Sequence, residues 1–159
     1  MKHGMILAAG CVIGLGGLSV SAHMSERTFQ ALDLQRAADE AAITASIQGY
    51  IGAFYLKQPD LLDSAVHPNL KKRDIRSTGE TQYLNEMTHS QLAAMAEVAN
   101  RGQWNADSRL EVEIYEIEFG IATAKATADG WIDYVHLAEI NGQWQIVNVL
   151  WAPFPADED

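Results

Sequence analysis

The segment RLEVEIYEIEFGIATAKATADGWIDYVHLAEINGQWQIVNVLW, Arg109 to Trp151, decides the fold. Its apolar residues recur with period 2, the repeat of strands whose alternate side chains are buried. Gly120, Asp129-Gly130 and Asn141-Gly142 divide it into strands at Arg109–Phe119, Ile121–Ala128, Trp131–Ile140 and Gln143–Trp151. Asp-Gly and Asn-Gly between apolar runs are strong hairpin signals, because a type I′ turn holds both central residues at positive φ. An antiparallel meander is therefore predicted. Its last two strands are apolar on both faces. Val135 and Leu137 stand against Ile132, Tyr134 and Ile140, while Ile146 and Leu150 stand against Val147, Val149 and Trp151. A sheet with one wet face alternates cleanly, so one face is expected to cover the core and the other a partner.

Upstream, the period is helical. Ile43, Ile47, Tyr50, Ile51 and Phe54 fall on one face, with Glu40, Thr44 and Gln48 opposite. That helix is expected to run from Arg36 to Lys57-Gln58, because Pro59 disfavours helix in the residue before it. Pro59-Asp60 opens a short second helix through Leu61, Leu62, Ala65 and Val66, closed by His67-Pro68. Leu70 to Tyr83 reads as an irregular strand-and-turn region around Gly79. Thr88 and Gln91 form a capping box for a third helix with the stripe Leu92, Met95, Ala96, Ala99, stopped by Gly102. Helices followed by a meander mean segregated α+β architecture, with helices covering one face of the sheet.

The amino terminus is set apart. Lys2 and His3 precede an apolar run from Met5 to Leu18, and Val20-Ser21-Ala22 puts small residues where a signal peptidase reads. Residues 1–22 are thus expected to be a secretory signal, 23–35 a flexible arm, 36–153 the folded domain and 154–159 an acidic tail. The expected location is periplasmic or secreted, with no membrane attachment after cleavage. Two alternatives are a lipoprotein box at Ala8-Ala9-Gly10-Cys11 and a cytoplasmic product starting at Met24. The chain holds 11 basic and 21 acidic residues, a net charge of −10. That balance repels phosphate backbones and argues against nucleic-acid binding. Cys11 is the single cysteine and leaves with the signal, so neither a disulfide nor a thiol nucleophile is expected. No His or acid pair has metal-ligand spacing, and no phosphate-cradling glycine loop or G-x-S-x-G appears outside the leader. No metal or cofactor is expected.

Two strings, IQGYIGAFYLKQPDLLDSAVHPNL (Ile47–Leu70) and WIDYVHLAEINGQWQIVNVLWAP (Trp131–Pro153), resemble the nuclear transport factor 2-like superfamily, and within it the bacterial lumazine-binding-like or SnoaL-like group. The likeness rests on Tyr50, His67-Pro68-Asn69, Asp133-Tyr134 and Gly142-Gln143-Trp144-Gln145-Ile146-Val147-Asn148. It implies a cystatin-like cone, with amino-terminal helices packed in the concave face of a curved antiparallel sheet. It also implies a pocket at the open end and, in many relatives, a homodimer through the outer sheet face.

Asp133 shares a face with Trp131, Val135 and Leu137, so its carboxyl is expected in the apolar interior, where it must pair or rise in pKa. Resemblance to the ketosteroid isomerase branch suggests a catalytic trio: Asp74 as base next to a carbonyl, with Tyr50 and Asp133 stabilising the enolate. Against it, Tyr50 also fits plain core, and Asp74 lies in Lys71-Lys72-Arg73-Asp74-Ile75-Arg76, which reads as a solvated strand edge. His136 is expected on the face opposite Asp133. The candidate ligand-binding residues are Tyr50, Tyr55, His67, Met95, Trp104, Trp131 and Asp133, with Met87 as a further wall. Three functions stay open: a binding domain for a small apolar or aromatic ligand, an isomerase- or dehydratase-type enzyme, and a dimeric scaffold.

Overall fold

A computed structural model of the protein describes residues 17–99 and 109–155, with side chains described from Glu26 onward. Cys11 and Trp104 lie outside the described residues, as do Gly102 and most of the acidic tail. The elements in chain order are α1 (Gly17–Leu56), α2 (Leu61–Ala65), β1 (Val66–Thr78), β2 (Thr81–Met87), α3 (His89–Val98), β3 (Leu110–Glu118), β4 (Ile121–Ala128), β5 (Trp131–Ile140) and β6 (Gln143–Pro153). The chain divides into two compact units, Met1–Arg36 and Ala37–Asp159. In the first unit the expected flexible arm is instead helical, and its residues from Glu26 on are exposed. Glu26, Arg27, Gln30, Ala31, Leu32, Leu34 and Gln35 are good helix formers with no Gly or Pro among them. A helix already nucleated extends through such residues without a buried face.

The second unit holds a curved, unclosed, six-stranded sheet of order β2-β1-β6-β5-β4-β3. The meander β3–β6 is antiparallel, as its hairpin signals require. β1 runs parallel to β6, with Lys72 beside Val149, so the sheet is mixed rather than antiparallel throughout. Leu70–Tyr83 is more regular than its charged sequence suggests. β1 and β2 form a hairpin from Lys72↔Met87 to Thr78↔Thr81, turned at Gly79 with φ 60°. The capping box of α3 is present at Thr88 and Gln91, and the helix ends at Val98.

The turns differ in detail. Asn141-Gly142 has both residues at positive φ, but at Asp129-Gly130 only Gly130 does. Phe119-Gly120 is the second turn with two positive values. α1 closes on Lys57 at φ 55°, with the Gln58 N–H donating to the Ala53 carbonyl, a Schellman-type cap built on a non-glycine residue.

Ile43, Ile47, Tyr50 and Ile51 of α1 are buried, as the stripe predicts, against Ala122, Ala124 and Ala126 of β4 and Val135 and Leu137 of β5 in one core. A bulge alters the face assignment on β6. Leu137 pairs with Ile146 but His136 pairs with Asn148, leaving Val147 as the extra residue. Strict alternation puts Ile146 with Leu150; the bulge instead puts Ile146 on the inner face with Val149 and Trp151 and leaves Leu150 outside.

Candidate functional site

Four elements aim side chains at one point. The α1 stripe delivers Tyr50. On β1, alternation carries Leu70, Lys72 and Asp74 to the inner face, all buried, while Lys71, Arg73 and Ile75 face outward. On β5 the same alternation turns Trp131 and Asp133 inward, and Trp151 is the cross-strand partner of Asp133.

Asp133 is wholly buried, and the expectation that it must pair or rise is met by pairing. Lys72 Nζ donates to Asp133 Oδ1 at 2.7 Å, with the two side chains 8% and 0% exposed. Trp131 Nε1 donates to the other oxygen at 2.9 Å. Lys72 Nζ also donates to the Tyr50 hydroxyl. The same ammonium lies 5.1 Å from the Tyr50 ring centre and 4.8 Å from that of Trp151. Removing two charges from water costs several kcal/mol per ion; hydrogen bonds to both carboxylate oxygens and aromatic faces around the cation offset it. Burial first, then the Asp133 charge and its hydrogen bond to the hydroxyl, push the Tyr50 pKa well above that of an ordinary phenol. Tyr50 therefore stays a neutral phenol at physiological pH, accepting from Lys72 and donating towards Asp133.

This cluster forms one wall of a half-open cavity of about 50 Å³. Tyr50, Lys72, Trp131 and Trp151 supply its polar side. Ile51 and Phe54 of α1, Met87 of β2, and Leu92 and Met95 of α3 complete it. Met95 is 45% exposed and stands at the mouth. A larger hollow of about 350 Å³ lies on the outer face beside Ile121, His136 and Val147, but no buried charged groups converge on it.

The remaining sequence candidates distribute unevenly. Asp74 is buried on the inner face of β1, yet its carboxylate accepts from Asn85 Nδ2 at 2.8 Å and from Arg76 Nε. Asp74 does not line the cavity. The structure thus joins Tyr50 and Asp133 through Lys72 and leaves the third member of the trio committed elsewhere. A base needs an accessible lone pair, and a carboxylate accepting N–H donors on both oxygens is not arranged as a neutral donor. Tyr55 stacks on Trp131 with ring centres 6.0 Å apart, behind the wall. Its hydroxyl donates to Asp129 Oδ2 at 3.1 Å. His67 Nδ1 accepts from the Asn69 N–H at 3.1 Å, a local turn contact away from the cavity. His136 is on the outer face, hydrogen-bonded to Asn148. Among the described residues no three His, Cys, Asp or Glu side chains gather as metal ligands.

Lys72 and Trp151 are the cavity-lining residues that sequence reasoning missed. The signal for Lys72 was its parity with Leu70, together with the need of inward Asp133 for a cation. The bulge at Val147 obscured Trp151.

A curved, unclosed mixed sheet with helices packed against it is the architecture of the nuclear transport factor 2-like class. Residues 38–152 match the family described as "Putative lumazine-binding", and the chain belongs to it. Solved structures with the same fold include an NTF2-like protein of unknown function from Shewanella baltica OS155, with 14% identity, TM-score 0.64, and 76% of this chain and 97% of that one covered. Another, from Silicibacter pomeroyi DSS-3, has 18% identity and TM-score 0.57, covering 74% and 98%. A third, from Methylobacillus flagellatus KT, has 18% identity and TM-score 0.53, covering 74% and 94%. No curated protein matches the chain.

Proposed function

We propose that this chain is an exported binding domain that holds one small, largely apolar, planar ligand in the cavity beneath α1 and α3. The observation that carries the reading is the buried Lys72–Asp133 pair with Tyr50, set in the wall of an otherwise greasy pocket. A pair buried only for stability gains little over apolar packing, whereas few convergent polar groups in an apolar concavity are what a ligand site requires. The family description supports the same direction. The cavity is below the roughly 150 Å³ that admits benzene, so entry requires the mouth to widen. Met87 and Met95 are unbranched, flexible side chains suited to that movement.

Binding is favoured over isomerase- or dehydratase-type catalysis because Asp74 is engaged by Arg76 and Asn85. We further propose that two copies pair through the outer sheet face. Tyr115, Ile121, Tyr134 and Leu150 there are 46–61% exposed, an apolar group that a partner would cover. Export rests on the leader sequence, whose residues 1–16 lie outside the described ones.

The test is a thermal-shift screen of small planar compounds on the wild type and on Met95→Trp, which plugs the mouth from a half-exposed position. Hits that stabilise the wild type and not the variant support the reading. A screen without hits, or hits indifferent to the plug, would remove it.

A further inference from the structure

A lysine amine condenses with a carbonyl group once it is uncharged, and burial in an apolar site is what makes such lysines reactive. Among the described residues the lysines are Lys57, Lys71, Lys72 and Lys125, and only Lys72 is buried and lines the cavity. Its Nζ lies 5.1 Å and 4.8 Å from the ring centres of Tyr50 and Trp151, two further walls of that cavity. Condensation also needs an acceptor for the ammonium proton and a donor for the departing oxygen. Both roles have a candidate on the same nitrogen. Asp133 Oδ1 accepts from it at 2.7 Å, and so does the Tyr50 hydroxyl. A purely structural ion pair has no need of open space beside its cation; Lys72 has that space.

We propose that Lys72 is a reactive lysine that captures a small apolar aldehyde as a Schiff base. This rests on the binding reading above, because the aldehyde occupies the same cavity. Asp133 is a carboxylate at rest. Passing the Lys72 proton along the hydrogen bond to it turns two buried charges into none, which a low-dielectric wall favours. The nitrogen lone pair then forms the C–N bond while the carbonyl π pair becomes an alkoxide. That oxygen takes a proton from the Tyr50 hydroxyl, and the adduct nitrogen returns one to the phenolate. The Asp133 acid next protonates the new hydroxyl, which leaves as water as the nitrogen lone pair closes the C=N bond. Ammonium and aldehyde have become iminium and water, and Asp133 is again a carboxylate beside a cation.

The test incubates the full chain with benzaldehyde and sodium cyanoborohydride at neutral pH, which fixes the imine as a benzylamine, and locates the label over time by peptide mass spectrometry. Toluene, the same ring without the carbonyl, is titrated separately by calorimetry. The label should reach Lys72 at least about tenfold faster than the exposed Lys57, because the bound carbonyl is held against the amine. Excess toluene should slow labelling of Lys72 and leave Lys57 unchanged. Lys72→Arg keeps a cation for Asp133 and should still bind toluene, with the fast label gone. If that variant does not fold, the wild-type peptide map decides. Toluene binding with Lys72 labelled no faster than Lys57 would overturn the reactive amine and leave the binding domain standing. Absence of both toluene binding and Lys72 labelling would remove the pocket and this inference together.

Discussion

Replacing Lys72 by methionine keeps the length of the side chain and removes the one cation hydrogen-bonded to Asp133 among the described residues. Asp133 would then be a fully buried carboxylate with no counter-charge, held by the Trp131 indole N–H and the neutral Tyr50 hydroxyl. Breaking a buried pair from one side costs about 3–5 kcal/mol, a large share of the roughly 5–15 kcal/mol that a domain possesses. Asp133→Leu should cost a similar amount, because it strands the Lys72 ammonium among the Tyr50 and Trp151 rings. The double variant Lys72→Met/Asp133→Leu buries no charge and should recover most of the loss, since apolar replacement of a whole pair is often neutral. Urea unfolding followed by tryptophan fluorescence gives the four corners of the cycle, with an expected coupling of at least about 2 kcal/mol. Single losses below about 1 kcal/mol, or losses that add in the double variant, would refute a pair that is both buried and mutually dependent.

Further outcomes follow from the same structure. The folded Tyr50 pKa is raised, so its contribution is fully present below the unfolded phenol value and is lost as pH climbs from there through the folded value; stability should fall from about pH 10 upward, and Tyr50→Phe should shrink that alkaline loss in urea midpoints measured across pH 8–11. Asp129→Ala removes the acceptor shared by the Tyr55 hydroxyl and the Arg109 N–H, and should cost about 1–3 kcal/mol with faster amide exchange at the start of β3. Phe119→Asn and Lys57→Gly place residues suited to positive φ at 50° and 55°. Each should raise stability by about 0.5–1 kcal/mol, since Phe119 is 99% exposed and has little packing to lose; a lower melting temperature in either would contradict the turn geometry.

Most of the scaffold was legible because its signals are local. The period-2 runs and glycine punctuation located β3 to β6 within two residues at each end, and the α1 stripe named Ile43, Ile47, Tyr50 and Ile51 as core. The interior position of Asp133 followed from parity alone. What was hidden depends on long-range pairing. The charged run Lys71 to Arg76 looks solvated in one dimension, and only its place in the sheet beside β6 reveals that Lys72 is buried against Asp133, while Asp74 is buried with the half-exposed Arg76 of its own strand as counter-charge. The bulge at Val147 carries no local signature, yet it decides that Trp151 faces inward. The exposed helical extension before Arg36 reflects helix propensity without burial, a combination that hydrophobic periodicity does not detect.

The most direct measurement is mass spectrometry of what the protein carries when isolated intact from its own cells, comparing wild type with Met95→Trp. The expected finding is one dominant small molecule, near one per chain, released from the wild type and missing from the folded variant. A wild-type protein that carries nothing, or the same molecule in equal amount on both, would contradict a ligand held beside Lys72, Asp133 and Tyr50.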